Sequence, residues 1–174
     1  MRKGQTAMEY LMTYGWAILI IMIVLVVLFY LGVLNPAVPV QCTFPSGFTC
    51  ISSKIDASDG NLTLVIGEGT GHTIVITGVN CSDNMSSGYT PNIVFYGDTN
   101  NNVTMNSGSQ EQVAYPTGPL QVLCTHAYNG ADTAISQQTV GATYSGNIYI
   151  NYTEVDTGTN HIVVGSYTAD YESG

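Results

Sequence analysis

The sequence predicts an α+β chain: a long N-terminal hydrophobic α-helix followed by an antiparallel β-sandwich of immunoglobulin-like type as an external domain. Three observations predict it. No Asp, Glu, Lys or Arg falls between Glu9 and Lys54, and the first part of that interval is apolar. Beyond it, short runs of β-branched and aromatic residues recur between clusters of Gly, Asn and Asp. Four cysteines, an even number, all follow the apolar run.

The helix comes first. Leu11 to Leu34 reads LMTYGWAILIIMIVLVVLFYLGVL. At about 1.5 Å per residue it outreaches the roughly 30 Å of a bilayer core. It is longer than the usual secretory h-region of about 7–15 residues. Pro36-Ala37-Val38-Pro39 is a poor signal-peptidase site, so the segment is expected to stay on the protein. Arg2 and Lys3 before it, with acidic residues after it, place the N-terminus in the cytoplasm and the remainder outside. Asn35-Pro36 and Pro39 end the helix, because proline cannot continue it and disfavours it in the preceding residue.

The strands follow. Leu62–Ile66 comes after Asp59-Gly60-Asn61, a hairpin signal. Thr73–Thr77 comes after a Gly67–Gly71 turn, read as a hairpin loop. Asn92–Tyr96 and Leu120–His126 read as further strands. Ser145–Glu154 and His161–Tyr171 flank a closing hairpin at Asp156–Asn160. Ile148, Ile150 and Tyr152 alternate with Tyr149, Asn151 and Thr153, giving one apolar and one polar face. About seven such strands suit a sandwich.

Four cysteines allow three pairings. Cys42 and Cys50 bracket a seven-residue loop and are expected to pair, leaving Cys81 with Cys124. Five N-x-S/T sequons, at Asn61, Asn80, Asn84, Asn102 and Asn151, point to glycan decoration of an external domain. Asn61 and Asn151 fall on the polar faces of their strands, while Asn80 adjoins a paired cysteine and is the poorest acceptor.

The chemistry classes are thin. Gly67-Glu68-Gly69-Thr70-Gly71 lacks the following helix that a nucleotide fingerprint needs. Asp98–Asn102 opens like a calcium loop but lacks the glycine and the closing acid, so it reads as a polar turn. No CxxC is present, and His72, His126 and His161 read as isolated strand-end or surface residues, so no metal is assigned. Nothing assembles a nucleophile, a base and an orienter, so no enzyme and no cofactor is expected. The formal net charge is −9. Such a chain cannot gather phosphates, which excludes nucleic acid as a partner.

Glu9 stands at the threshold of the apolar run. A carboxylate there costs insertion energy and is usually kept for a partner. The segment Lys3-Gly4-Gln5-Thr6-Ala7-Met8-Glu9-Tyr10 resembles the class III signal peptide of archaeal type IV pilin-like proteins, with Ala7 in place of the more usual serine. Cys42–Cys50 also resembles the start of the external domain in such pilins. The resemblance implies cleavage between Gly4 and Gln5 by a prepilin peptidase, and a role for Glu9 in assembly. It divides the chain into a leader (1–4), a transmembrane or filament-core helix (5–37) and an extracellular domain (38–174). It further implies a homopolymeric pilus subunit, served by an assembly ATPase and platform protein, held in membrane lipid before assembly, and carrying an outward adhesive domain. The alternative is a minor pilin-like or membrane-anchored surface binding protein outside the main filament.

Overall fold

In the computed structural model, residues 3–31, 39–84, 89, 94–95 and 102–174 are described. The chain divides into two compact units, Met1–Ala37 and Val38–Gly174.

The first unit holds one helix, α1 (Lys3–Tyr30). Leu, Met and Ala favour it, and no proline precedes Pro36. Tyr10 and Tyr14, one turn apart, stack with ring centroids 6.0 Å apart. The Thr13 hydroxyl donates to the Glu9 carbonyl at 2.9 Å, a local bond that satisfies a polar side chain within an apolar helix. The span Met8–Tyr30 is long and apolar enough to cross a membrane, and none of it is buried.

The second unit is built from eleven strands among the described residues: β1 (Gln41–Thr43), β2 (Phe48–Asp56), β3 (Asn61–Glu68), β4 (Ile74–Ser82), β5 (Val94–Phe95), β6 (Val103–Met105), β7 (Gln110–Ala114), β8 (Val122–Tyr128), β9 (Ala131–Ala134), β10 (Thr143–Glu154) and β11 (Asn160–Glu172). The order β4-β10-β11-β2-β3-β8 returns to β4, so the sheet closes as a barrel. The remaining strands pair antiparallel on its rim: β5 and β6 on β4, β7 on β3, β9 on β8, and β1 on β11.

The expectation of wholly antiparallel pairing is corrected at two seams. β11 runs parallel to β2 at Tyr171↔Ile55 and Glu172↔Asp56. β4 runs parallel to β8 at Cys81↔Cys124 and Ser82↔Thr125. Parallel neighbours need long connections, and these strands are far apart in sequence. The Gly67–Gly71 segment is likewise not a hairpin loop. β3 and β4 are not partners, and this segment carries the chain from the β2–β3 side to the β4–β10–β11 side. The buried Glu68 carboxylate shapes it, accepting from the Thr70 amide and hydroxyl and from the Gly108 amide. Hairpins do form at the other two predicted places, β2–β3 and β10–β11. Gly60, at φ +74°, turns the first of these in a conformation that L side chains rarely adopt.

Alternation places the core. Along β11, Val163, Gly165, Tyr167, Ala169 and Tyr171 point inward, while Ile162, Val164 and Ser166 point out. They meet Ile55, Leu62, Leu64, Ile74, Ile76 and Ile150, all fully buried. β10 departs from the expected two-faced pattern. Ile148 and Ile150 are buried, but so are Tyr149 and Asn151 on the opposite face. Tyr89 packs edge-on against Tyr149, with centroids 5.8 Å apart, so the outer face of β10 is covered too. A bulge between Asn151 and Tyr152 resets the register against β4.

All four cysteines are bonded, Cys42 to Cys50 and Cys81 to Cys124. The second bond joins directly opposed residues of the β4/β8 seam. Thr125 stitches the same seam, its hydroxyl donating to the Cys81 carbonyl at 3.2 Å, and the Tyr144 hydroxyl donates to the Thr125 carbonyl at 3.2 Å. Gly146 lets β10 approach: a Cβ there would stand 2.7 Å from the Ser82 carbonyl oxygen.

By chain entropy, closing a span of 43 residues contributes about 4 kcal/mol, and the shorter Cys42–Cys50 loop about 2.5 kcal/mol. The double substitution Cys81→Ala, Cys124→Ala is therefore expected to lower unfolding stability by about 2–5 kcal/mol. Cys42→Ala, Cys50→Ala should cost less. Near-UV circular dichroism against denaturant reads both, and an equal or reversed ranking would contradict the seam's role.

Candidate functional site

Two regions bear on function: α1, and the polar groups at the barrel rim. Gly4 and Gln5 lie in the first turn of α1, which begins at Lys3. Glu9 follows about one turn later on an exposed stretch. Among the described residues nothing pairs with its carboxylate. The large apolar side chains beyond it, from Leu11 through Trp16 to Leu31, stand exposed, save Leu28, which is half-buried. At Gly15 nothing lies within 4 Å of where a Cβ would sit, and Met8, Leu11, Met12, Trp16 and Leu19 border the shallow apolar groove left there.

The five sequons divide sharply. Asn61, Asn80, Asn84 and Asn151 are 6 %, 4 %, 1 % and 6 % exposed. Asn61 and Asn151 therefore do not point outward from polar strand faces. The Asn61 side chain bonds Asp59 and accepts from Gln121 Nε2 at 2.7 Å. Asn151 Oδ1 accepts from Asn160 Nδ2 at 2.6 Å. The Asn84 amide donates to the Gly130 carbonyl at 3.3 Å. Face alternation misjudged them because both faces of β3 and β10 are covered. Asn102 alone of the five is partly exposed, just ahead of β6. The Asp98–Asn101 part of the polar turn lies outside the described residues.

The three histidines are not isolated. His72 Nδ1 lies 2.6 Å from Asp156 Oδ2. His126 Nδ1 lies 2.6 Å from Asp83 Oδ2. His161 Nε2 lies 3.7 Å from Glu154 Oε1. The Asp156 carboxylate holds the His72 pKa above the usual imidazole value, and its hydrogen bond from His72 holds Asp156 below the usual carboxylate value. Strand register explains the first pair. The β4/β10 ladder pairs Ile74 with Glu154, and the Val155 amide donates to the Thr73 carbonyl at 2.9 Å, so His72 and Asp156 come next in line. The hairpin register Tyr152↔His161 brings the third pair together. That register was readable from the Asp156–Asn160 turn; the first two pairs needed long-range pairing.

A second network sits beside the disulfide seam. Asp83, His126 and Tyr171 form a row, with the Tyr171 hydroxyl 3.4 Å from His126 Nε2. The order is that of a proton relay, but Tyr171 is 2 % exposed and burial pushes its hydroxyl up to about 12. It stays protonated and out of reach of a substrate, so the row ties β8 to β11. Burial likewise raises Tyr167 to about 12 and holds Tyr144 higher still. Tyr89 is raised to about 12 by burial and by its bond to Asp132. Tyr89 donates to the Asp132 carboxylate and Tyr144 to the Thr125 carbonyl, so these two phenols act as hydrogen-bond donors.

No family model, no curated protein and no solved structure matches the chain.

A glycan must attach to an amide nitrogen that reaches solvent. Site-resolved mass spectrometry of the protein from its native envelope is therefore expected to find any N-glycan at Asn102, with Asn61, Asn80, Asn84 and Asn151 bare. Full occupancy at Asn61 or Asn151 would show that modification precedes folding and alters the barrel.

Proposed function

We propose that the protein is the structural subunit of an archaeal type IV pilus, polymerising through α1 after leader removal, with its β-domain turned outward for surface adhesion. The observation that carries this reading is α1 itself. Its apolar span Met8–Tyr30 is nowhere buried and has one carboxylate, Glu9, near its start. Such a helix must be shielded from water by lipid or by like helices. The open groove at Gly15 suits close approach of a neighbouring helix.

Cleavage after Gly4 creates a cationic amine at Gln5, with a reference pKa of about 8. Glu9 becomes the fifth residue of the shortened helix, near its positive dipole end. In a bundle, Glu9 of one subunit meets the Gln5 amine of another. In so dry a core that pair selects axial register more than it adds stability. Head-to-tail contacts of this kind do not close, so they build an open helical array.

The external domain suits exposure outside the cell. It carries two disulfides, which persist in oxidising surroundings. Each parallel seam involves only two residue pairs, which supports reading the barrel walls as the two layers of an immunoglobulin-like sandwich.

Protein taken from its native envelope is expected to begin at Gln5 by intact mass and N-terminal sequencing. Glu9→Gln should be processed normally while filament recovery falls severalfold. A mature chain beginning at Met1, or undiminished filaments from Glu9→Gln, would instead support a plain tethered ectodomain.

A further inference from the structure

We propose that His72, Glu154 and Asp156, with His161 beside them, form a binding site for a zinc-type divalent transition-metal ion at the rim of the barrel. Two regions distant in sequence converge there: the β3–β4 crossover brings His72, and the β10–β11 hairpin brings Glu154 and Asp156 from the end of β10 and its turn and His161 from the start of β11. One donor atom from each of His72, Glu154 and Asp156 lies within 4.8 Å of the others. His161 Nε2 is 3.7 Å from Glu154 Oε1.

The carboxylates are held so that each presents one oxygen inward. The Thr157 hydroxyl donates to Glu154 Oε2 at 2.9 Å, leaving Oε1 toward His161. The Thr157 amide donates to Asp156 Oδ1 at 3.0 Å, leaving Oδ2 toward His72. One residue therefore orients both acids from behind, as outer partners of metal ligands do. The backbone beneath is fixed by bonds from Glu154 N to Thr159 O at 3.0 Å and from Gly158 N to Glu154 O at 2.9 Å. Tyr152 packs on the His161 ring, with centroids 5.4 Å apart, and limits its orientation.

The spacing fits a small ion. Bonds of about 2.0–2.2 Å in a tetrahedron set ligand atoms about 3.3 Å apart. The separations of 2.6 and 3.7 Å straddle that value, and the three donors of His72, Glu154 and Asp156 all lie within 4.8 Å of one another, so side-chain rotation without backbone movement brings them onto one ion. The charge also fits. Two carboxylates face two imidazoles, and Lys54, the sole lysine or arginine after Lys3, has its ammonium on the Ser173 carbonyl at 2.7 Å. Imidazole donors select zinc, copper, nickel or cobalt over calcium and magnesium. The ligands are partly exposed, His72 42 % and Asp156 55 %, so an ion has an entry path and water completes its shell.

The test is calorimetric titration of Zn2+ into the EDTA-stripped full chain in detergent micelles, with thermal melts alongside. One saturable ion per chain is expected, raising Tm and undisturbed by millimolar Ca2+. His72→Gln and Asp156→Asn should each weaken Zn2+ at least tenfold and abolish the zinc-dependent rise in Tm, while matching wild type in EDTA. Glu154→Gln repeats the test should either variant fold poorly. His126→Gln, at the other histidine–carboxylate pair, should bind as wild type does. No saturable binding, binding that survives in His72→Gln and Asp156→Asn, or loss on His126→Gln would each overturn the assignment.

Discussion

The barrel is held shut by a short seam. A β-sheet with free edges invites further strands to add to it, and closing the six main strands into a ring leaves only short rim strands as edges. Here closure depends on β4 meeting β8 over only two residue pairs. Parallel pairing of that length offers few hydrogen bonds. The Cys81–Cys124 bond, the Thr125 hydroxyl and the buried Tyr144 phenol converge on the same two rungs. Gly146 is the concession that lets β10 lie against them. Ile55, Leu62, Leu64, Ile148 and Ile150, from three of the ring's strands, are buried together inside it.

The hydrophobic effect acts on the chain in two separate ways. In the strand-rich unit apolar residues find one another, and two tyrosines are fully buried with them. In α1 none of the apolar span is buried. An amphipathic helix would have shown which side meets protein. This one is apolar all round, interrupted by Gly15 and headed by Glu9, which is the pattern of a helix long and apolar enough to cross a membrane.

What could be read beforehand followed periodicity. α1 was legible from its uninterrupted apolar run, and β3, β8, β10 and β11 from β-branched runs between turn residues. β7, with the sequence QEQVA, and β9, ADTA, were not legible. They are short, mostly polar edge strands, and backbone pairing rather than side-chain pattern makes them strands. β2 escaped notice because Ser52, Ser53 and Lys54 break its alternation while Phe48 and Ile55 anchor its ends. The parallel seams depend on contacts between residues far apart in the chain, which no local pattern encodes. The same reason hid the histidine–carboxylate pairs of His72 and His126. It also explains the misplaced asparagines: strand alternation tells which residues share a face, not whether something else covers that face.

Lys54 has a consequence beyond its bond to Ser173. Trypsin-like proteases cut after lysine or arginine, and past Lys3 the chain offers them one bond, Lys54–Ile55. That bond lies in the last two rungs of the β2–β3 ladder, with Lys54 opposite Thr63 and Ile55 opposite Leu62; Ile55 also pairs with Tyr171 of β11, and its side chain is wholly enclosed. A protease needs its substrate extended and free, so cutting here waits on opening of the β2–β3 pair. The strand-rich domain thus carries a built-in resistance to a whole class of digestive enzymes, by having almost nothing for them to recognise and by keeping the one cleavable link shut away.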